Sequence, residues 1–541
     1  MKSITMLTRL VILLSLMIAA FSVSKPVGAD NQNRSSSDNF QKKSVNQTFY
    51  YFNYMPVITN HYCTPQAVDS PFSIQIEALH QITVTAGLAN PVNSTVGTMN
   101  EEQLKAWYVQ AFPTLLDAMK ASGAGWTRVM IRWSDVEPNA PAQGQPPVFD
   151  WSWYDSRLSQ IGQMGIKMIM SFGYIPVWAS AGVACPPIAD KYLDDYKKFL
   201  TEAVNRYSQP PYNVTTWEIF NESDNTISSF SPQYGCWGNF GPNYANILAI
   251  SYTIIKSINP QATVLMSGIA YDDFTEYGGL FNRYFIDDVV SQPGVTNYFD
   301  AFNFHYFPSL YAEWGQWNPQ HRPSCGNVYT GTGPWYDAFG IDIIAKKNHL
   351  MNRMGTCFGI NNKQVWVTET AEHGYYPGEN PSFPDGTLYI QAQYVPKVYA
   401  RSLASGIKNI TWYALTTPFF PFEQSLLNNI DFSPKPAYTA YQTMTAELKN
   451  FVYEKTMAVP GAEVYVFNTS CLDEKMVAWG NTWDNNAPLN LSPAKTLRVV
   501  DYMGNLTTIQ DGGPGDLDGQ VNDSITINLT TNPIYVSITM K

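Results

Sequence analysis

Residues 215–222 read TTWEIFNE, a short β-rich apolar run that ends in a carboxylate, and residues 364–369 read QVWVTE in the same manner. They belong to a series of eight such runs between residues 72 and 449, which alternate with amphipathic stretches of helical period. Parallel strands joined by crossover helices produce this alternation. Eight units, with no GxGxxG motif opening the first, predict a closed (β/α)₈ TIM barrel rather than an open doubly wound sheet.

The elements of this barrel are predicted from the apolar runs and from the helical periodicity between them. The predicted strands are 72–78, 127–133, 167–172, 215–220, 263–266, 301–305, 364–368 and 409–413. The predicted helices are 101–122, 152–164, 192–207, 241–258, 335–354, 388–405 and 436–449. The barrel is therefore assigned to residues 72–449.

Beyond residue 450 the helical period disappears and short alternating strands replace it, at 463–467, 476–479, 497–500, 525–529 and 533–538. This pattern predicts an all-β sandwich as an accessory domain over residues 450–541. Residues 46–71 form an N-terminal segment that is expected to add an edge strand to the sandwich.

The N-terminus has the features of an export signal. Lys2 and Arg9 precede an apolar run over residues 10–21, and small residues at 27–29 precede a cut at Asp30. The run is shorter than the ~20 residues that span a bilayer, so we expect a secreted, extracellular protein with no integral membrane domain in the mature chain. A single uncleaved anchor is the alternative. Residues 1–29 are assigned to the signal peptide and residues 30–45, which are polar and rich in Ser and Asn, to a flexible linker.

Composition excludes one class of partner and favours another. The formal net charge is −11, whereas a surface that binds nucleic acid needs clustered Lys and Arg. Aromatic residues make up 14% of the chain, and flat rings cover the apolar faces of sugars. We therefore expect a carbohydrate partner and no nucleic acid, while the oligomeric state stays unknown.

The six cysteines are scattered and lack the CxxC spacing of a metal site, so disulfide bonds are expected. Cys185 and Cys236 fall in the loops after the third and fourth strands, which are neighbours on the barrel rim, and we predict that they are bonded to each other. Cys325 and Cys357 are expected to lie too far apart, at opposite ends of one helix. Cys63 is a candidate partner for Cys471.

The candidate catalytic residues are two glutamates at the ends of predicted strands. Glu222 follows the fourth strand and Glu369 ends the seventh, and active sites of this fold lie at the carboxyl ends of the strands. Strict alternation would place Glu218, Phe220 and Glu222 on one face of their strand, and Val365, Val367 and Glu369 on one face of theirs. Both glutamates would then point to the barrel axis, with Glu372 as the rival for the second position.

Several further motifs accompany the two glutamates: Gly123-Ala-Gly-Trp-Thr-Arg128 with Trp133 and Glu137-Pro138, Phe149-Asp-Trp-Ser152, and Ile175-Pro-Val-Trp-Ala179. Together they resemble clan A of the retaining glycoside hydrolases, whose catalytic glutamates end strands four and seven. The similarity covers residues 72–449 and is strongest to families that include β-xylosidases, α-L-iduronidases and small endo-glycanases.

This resemblance implies roles for other residues. Asn221 would bond the sugar 2-hydroxyl, and Arg128 would lie beside Glu369 and keep it ionised, with Arg132 as the alternative. Trp412 would form the floor of the subsite where cleavage occurs, and His305 and Trp178 would line the pocket, with simple packing as the alternative for all three. Tyr306 is also a candidate, although the chain reads His305-Tyr306-Phe307 where the clan often has His-x-Tyr.

The function expected from these residues is hydrolysis of O-glycosyl bonds with retention, by double displacement, without a metal or an organic cofactor. Residues 516–523 are acidic but lack the glutamate that completes an EF-hand, so a hairpin turn is expected there. A transglycosylase and a catalytically silent carbohydrate-binding barrel are the alternatives. Two geometric expectations follow: the carboxyl groups lie about 5 Å apart, and the charge of Glu369 raises the pKa of Glu222.

Overall fold

The computed structural model describes most of the chain from residue 66 onward. The described ranges are 66–76, 101–180, 187–226, 237–272, 274–275, 279–308, 342–374, 387–416, 424–428, 431–471, 473–481 and 487–539, with side chains of the first helix described from residue 109. The predicted signal peptide and linker lie outside these residues. One compact unit comprises Cys63–Lys541.

Eight parallel strands close into a barrel in chain order, which confirms the predicted fold. They are β1 (Phe72–Gln75), β2 (Trp126–Arg132), β3 (Lys167–Gly173), β4 (Thr216–Glu218), β5 (Thr263–Leu265), β6 (Ala301–Tyr306), β7 (Gln364–Thr370) and β8 (Ile410–Trp412). Closure is made by β1, which pairs with β2 through Ser73 and Trp126 and with β8 through Ser73 and Thr411. Each strand begins within two residues of its predicted start.

The helices that surround the barrel are α1 (Glu101–Ala121), α2 (Trp133–Val136), α3 (Ser152–Gln163), α4 (Leu193–Tyr207), α5 (Gly241–Ile258), α6 (Phe285–Val290), α7 (Asp342–Phe358), α8 (Leu388–Ala404) and α9 (Pro436–Glu447). The short helices α2 and α6 were not predicted. With four and six residues respectively, they are too short to show a helical period. Within the described residues, no helix has both the length and the apolar character required to cross a membrane.

The barrel strands have two buried faces, so the alternation of side chains decides which residues reach the axis. At the bottom of the barrel a small inner cluster contains Trp126, Ile169, Leu265, Ala301 and Trp366. The outward residues of the same strands join the large cluster beneath the helices, as Trp217 does by stacking on Phe172 with ring centroids 5.7 Å apart. Trp366 therefore fixes the inward face of β7, and Val365 and Val367 face the helices.

The C-terminal region is the predicted β-sandwich. A six-stranded sheet in the order β14-β13-β16-β11-β10-β9 packs on a two-stranded sheet, β12-β15. The strands are β9 (Val452–Met457), β10 (Ala462–Asn468), β11 (Glu474–Gly480), β12 (Ala487–Leu491), β13 (Thr496–Asp501), β14 (Leu506–Gln510), β15 (Ile525–Leu529) and β16 (Ile534–Thr539). β9 and β14 were missed in the sequence because each lacks a clean apolar alternation, and β12, which does alternate, was missed because it is short and contains Pro488.

The larger sheet packs one face on the sandwich core and the other on the barrel. Val464 and Val466 enter the sandwich core, whereas Tyr465 and Phe467 join the barrel cluster. Three ion pairs stabilise this contact. Arg401 of α8 donates to both carboxylate oxygens of Glu463 at 2.9 and 2.6 Å, and Glu447 of α9 accepts from Lys475 and Arg498.

Two predictions on the N-terminal segment and the cysteines have mixed outcomes. Residues 66–70 are not a strand, and the rest of the proposed edge strand lies outside the described residues; the backbone N–H of Gln66 nevertheless donates to Ser470 Oγ of the sandwich at 2.7 Å. Cys357 and Cys471 each take part in a disulfide bond. The predicted Cys185–Cys236 pair also lies outside the described residues and stays a prediction.

Candidate active site

The carboxyl end of the barrel is organised around the guanidinium group of Arg128, which is 1% exposed. Arg128 donates to Glu218 through Nε at 2.6 Å and Nη2 at 3.0 Å. It also donates to Gln75 at 2.8 Å, to Asn221 Oδ1 at 2.5 Å and to Glu369 Oε1. Burial alone would lower the pKa of Arg128, but the charges of Glu218 and Glu369 outweigh it and raise this pKa. The predicted contact between Arg128 and Glu369 is present.

Glu218 is the buried counterion of Arg128, a role that the sequence analysis did not assign. Besides Arg128, its carboxylate accepts hydrogen bonds from the Gly268 N–H at 3.0 Å, Asn303 Nδ2 at 2.9 Å and Thr368 Oγ1 at 3.1 Å. A buried charge is tolerated only when it is paired and hydrogen-bonded. The sequence feature that could have indicated this role is Arg128. An arginine in the middle of a buried strand requires a carboxylate that faces the same barrel interior.

A β-bulge in β7, and not strict alternation, directs Glu369 to the axis. The pairing with β6 shifts between Phe304 and His305, so that Val367 pairs with Phe304 and Glu369 with His305, and Thr368 is the extra residue. Thr368 and Glu369 consequently both face the barrel interior. The predicted common face of Val365, Val367 and Glu369 is wrong, since the two valines pack under the helices.

The path to Glu222 also departs from a regular strand. β4 ends at Glu218, and both Phe220 and Glu222 have positive φ, at 65° and 42°. Phe220 thereby packs outward against Tyr196 and Trp237, so it does not share a face with Glu218 as predicted. Left-handed backbone is rare for a non-glycine residue and often marks a functional site. Here it returns Glu222 to the mouth of the barrel.

The two glutamates face one another with His305 between them. His305 Nδ1 lies 3.1 Å from Glu222 Oε1 and 3.6 Å from Glu369 Oε2, and its Nε2 lies 3.1 Å from Thr368 Oγ1. One carboxylate oxygen of each glutamate and a ring nitrogen of His305 all lie within 4.8 Å of one another. The nearest oxygens of the two carboxyl groups are thus no more than 4.8 Å apart, which agrees with the predicted separation of about 5 Å.

The backbone makes room for this arrangement at Gly268. A Cβ atom at position 268 would lie 2.2 Å from His305 Nε2 and 2.8 Å from Thr368 Oγ1. Both atoms belong to the site, and neither is at the end of a flexible chain. A glycine is therefore required for His305 to sit between the two glutamates.

The fold is that of known glycoside hydrolases. A family 39 glycoside hydrolase from the gut symbiont Bacteroides cellulosilyticus WH2 superposes with a TM-score of 0.57 and 20% identity, over 88% of this chain and 83% of that chain. A glucosidase from Croceicoccus marinus gives 0.53 and 12%, over 78% and 91%. A family 39 β-xylosidase from Caulobacter crescentus gives 0.51 and 14%, over 88% and 97%.

These likenesses, at 12–20% identity, agree with the predicted barrel fold. No protein-family model matches the sequence. No curated protein matches it either.

Glu222 and His305 have strongly shifted protonation equilibria. Burial raises the pKa of Glu222 to about 7, with Glu218 adding to the rise and Arg128 and Lys346 opposing it. The direction was predicted, but burial is the main cause where the charge of Glu369 had been expected. Burial also lowers the pKa of His305 to about 4, so its ring is neutral near pH 7 and does not force Glu222 to ionise.

The same three side chains are, among the described residues, a group whose geometry suits a metal ion. The fixed charge of Arg128, bonded to Glu369, opposes a cation at that point. Two of the three side chains, Glu222 and Glu369, are also the predicted catalytic residues. The positive charge of Arg128 therefore disfavours a metal ion at these three side chains.

The predicted binding residues divide into those that reach the site and those that do not. Asn221 and His305 lie beside the two glutamates. Trp412 is fully buried, donates through Nε1 to the Gln424 carbonyl at 3.0 Å and packs on Tyr394 of α8. It is part of the packing under the helices, so the predicted floor of the subsite is wrong for this residue. Tyr413, the next residue, is half-buried and was not predicted as a site residue. The centroid of its ring lies 6.0 Å from that of Phe307.

Tyr306 is placed away from the glutamates because β6 alternates. Asn303 and His305 face the axis, so Tyr306 faces the helices, 1% exposed, with its ring 5.9 Å from Lys346 Nζ of α7. Its predicted role in the pocket is therefore wrong. Trp178 is half-buried in the loop after β3, where Nε1 donates to the Glu137 carbonyl at 3.1 Å, and its contact with substrate stays a prediction.

The two alternatives raised in the sequence lie elsewhere. Arg132 stacks over the ring of Tyr174 at 3.8 Å and is not the arginine beside Glu369. Glu372 is 1% exposed in the loop after β7, where Oε1 accepts the N–H of His373 at 2.8 Å. Arg132 therefore does not replace Arg128, and Glu372 does not replace Glu369, as the candidate residue.

Proposed function

We propose that this protein is a retaining glycoside hydrolase in which Glu369 is the nucleophile and Glu222 the acid/base. The observation that carries the proposal is the approach of the two carboxyl groups within 4.8 Å, in unlike surroundings. Glu369 is 7% exposed and contacts the charge of Arg128, which favours its ionised form. The Glu222 side chain is 29% exposed and holds its proton to about pH 7. Unlike surroundings divide the roles of two carboxyl groups in this chemistry.

The reaction follows from these two states. Glu369 attacks the anomeric carbon while Glu222 gives its proton to the departing glycosidic oxygen, so one C–O bond breaks and a glycosyl ester forms. Water then enters, Glu222 takes its proton, and attack on the anomeric carbon releases Glu369 and the sugar. Asn221, held by Arg128 at 2.5 Å, is placed to bond the 2-hydroxyl group.

The substrate class and the location belong to the same proposal. We propose that the substrates are plant or microbial polysaccharides or their fragments, because the aromatic content suits sugar faces. The N-terminal signal supports export. A panel of xylans, mannans, β-glucans and aryl glycosides identifies the sugar.

Replacing Glu222 with glutamine is expected to lower kcat on phenyl glycosides by about 10²–10⁴-fold, because the variant has no proton to give. Wild-type activity falls on the alkaline side with a midpoint near pH 7, where Glu222 loses its proton. Below that pH the acid form is present, and above it the acid form is lost. In the variant this alkaline limb disappears. Initial rates between pH 4 and 10 measure both effects.

Glu137 offers the matched control, since burial likewise raises its pKa to about 7. Its carboxylate accepts from Trp133 Nε1 at 2.8 Å and is not part of the pair, so Glu137→Gln keeps the alkaline limb. A limb that survives in Glu222→Gln contradicts the assignment of the acid. A wild type that binds glycans and hydrolyses none of the panel favours a silent carbohydrate-binding protein.

A further inference from the structure

Residues 267–272, which follow β5, connect the two sides of the site without contributing a reacting group. The Gly268 carbonyl accepts the N–H of Glu222 at 2.9 Å. Ser267 Oγ accepts the N–H of Ser223 at 3.0 Å, and the Ile269 carbonyl accepts the N–H of His305 at 2.8 Å. The position of Glu222 relative to His305 therefore depends on this segment.

A buried lysine and a buried aspartate hold the same segment. Lys346, on α7 and fully buried, donates to the Ala270 carbonyl at 2.5 Å and lies 3.4 Å from Asp272 Oδ2. Asp224, two residues after Glu222, accepts the N–H groups of Ala270 at 3.1 Å and Tyr271 at 2.8 Å. The segment is thus fixed by α7 and by the loop that carries Glu222.

Lys346 also acts on Glu222 through its charge. Burial lowers the pKa of Lys346, and Asp272, Asp224 and Glu222 oppose that fall. Reciprocally, Lys346 lowers the pKa of Glu222, while burial raises the pKa of Asp272 to about 7. The charged or titratable groups that face Glu222 from β2, β4, β6, β7, α7 and the adjoining loops are Arg128, Glu218, His305, Glu369, Lys346, Asp224 and Asp272.

We propose that Lys346, paired with Asp272, is a positioning residue for the acid/base: it fixes residues 267–272, which are hydrogen-bonded to Glu222 and His305, and supplies a positive charge near Glu222. The inference rests on the proposed function. A buried lysine is costly to the fold. Lys346 contacts residues 267–272, which are hydrogen-bonded to both Glu222 and His305. A role in positioning the proton donor accounts for a lysine that is buried at this point.

The first test compares Lys346→Met with Lys347→Met. Lys347 is the next residue of α7, and its Nζ donates to the Ser405 carbonyl at 2.7 Å, away from residues 267–272. In Lys346→Met the alkaline limb of kcat/KM is expected to move up by about half to one pH unit, since Glu222 loses a nearby positive charge. In Lys347→Met the limb stays in place. Circular dichroism and thermal unfolding establish that each variant is folded.

The leaving group supplies a readout that a purely structural role does not move. A displaced acid slows phenyl glycosides, which need a proton, by about 10- to 100-fold. Dinitrophenyl glycosides depart without a proton and keep their rate of glycosyl-enzyme formation. Equal losses on both substrates in Lys346→Met would overturn the proposal.

Asp272→Asn tests the same pair with the opposite sign and serves if Lys346→Met does not fold. Removing a negative charge near Glu222 lowers the pKa of that group, so the alkaline limb moves down. Movement of the limb in the same direction in both variants, or in neither, overturns the inference. An alkaline limb that is unchanged in Glu222→Gln instead overturns the proposed function. The two failures are therefore distinguished.

Discussion

Glu369→Gln is expected to lower kcat by about 10⁴-fold or more, which is the scale on which loss of a covalent nucleophile acts. The amide is nearly the size of the carboxylate, so the contact with Arg128 changes while the packing stays. Azide added to the smaller variant Glu369→Ala is expected to restore turnover of dinitrophenyl glycosides, because removal of the carboxylate leaves space for a small anion at the position from which it attacked. The product is a glycosyl azide with inverted anomeric configuration.

Glu372→Gln is the matched control for this variant. Glu372 is buried three residues away and bonds the backbone of His373, so its variant is expected to retain most of the activity, and Glu372→Ala is expected to gain nothing from azide. Azide rescue in Glu372→Ala with a fully active Glu369→Gln would move the nucleophile to position 372. Peptide mapping after trapping with a 2-fluoro glycoside gives the same answer independently.

Arg128→Met is expected to destabilise the protein by about 3–5 kcal/mol, because it leaves the Glu218 and Glu369 charges buried without their partner. Activity falls with it, since Glu369 loses the charge that favours its ionised form. The shift of the chemical denaturation midpoint, followed by tryptophan fluorescence and multiplied by the slope of the transition, measures the loss of stability.

Two further variants define the origin of that loss. Lys167→Met removes an exposed ion pair with Asp69 at the start of β3, which is worth about 0–1 kcal/mol. Glu218→Gln combined with Arg128→Met is expected to cost less than the sum of the two single changes, with a coupling of about 0.5–3 kcal/mol. Additive costs, or an Arg128→Met protein as stable as the Lys167→Met control, would contradict the buried network.

The fold was predictable because each barrel strand is an apolar run bounded by turn residues, and such runs are visible without tertiary information. Long amphipathic helices such as α5 were predicted to the residue. The strands β9 and β14 were not visible, since the edge strand β9 leaves most side chains in solvent and β14 is mainly threonine-rich and exposed. Exposed strands carry little hydrophobic pattern.

The positions of the candidate residues at strand ends were predictable, whereas the local geometry that orients them was not. Glu222 and Glu369 were placed by their positions at strand ends, but the bulge at Thr368 and the positive φ of Phe220 are tertiary effects that strict alternation excludes. Trp412 illustrates the reverse error, since its position at the end of β8 is equally consistent with packing under α8.

Contacts over long sequence separations were also out of reach. Glu218 and Arg128 are 90 residues apart, and Lys346 and Ala270 are 76 apart. Neither pair has a local sequence pattern that would indicate contact. Only the register of the strands and the position of α7 bring these side chains together.

Proton NMR of the first product formed by the wild-type protein, on any glycoside that it cleaves, tests the central claim most directly. The spectrum is recorded before the free sugar mutarotates, and the anomeric proton reports which face water attacked. Two displacements at one carbon, first by Glu369 and then by water, give a product with the anomeric configuration of the substrate. A first product of inverted configuration would contradict the account.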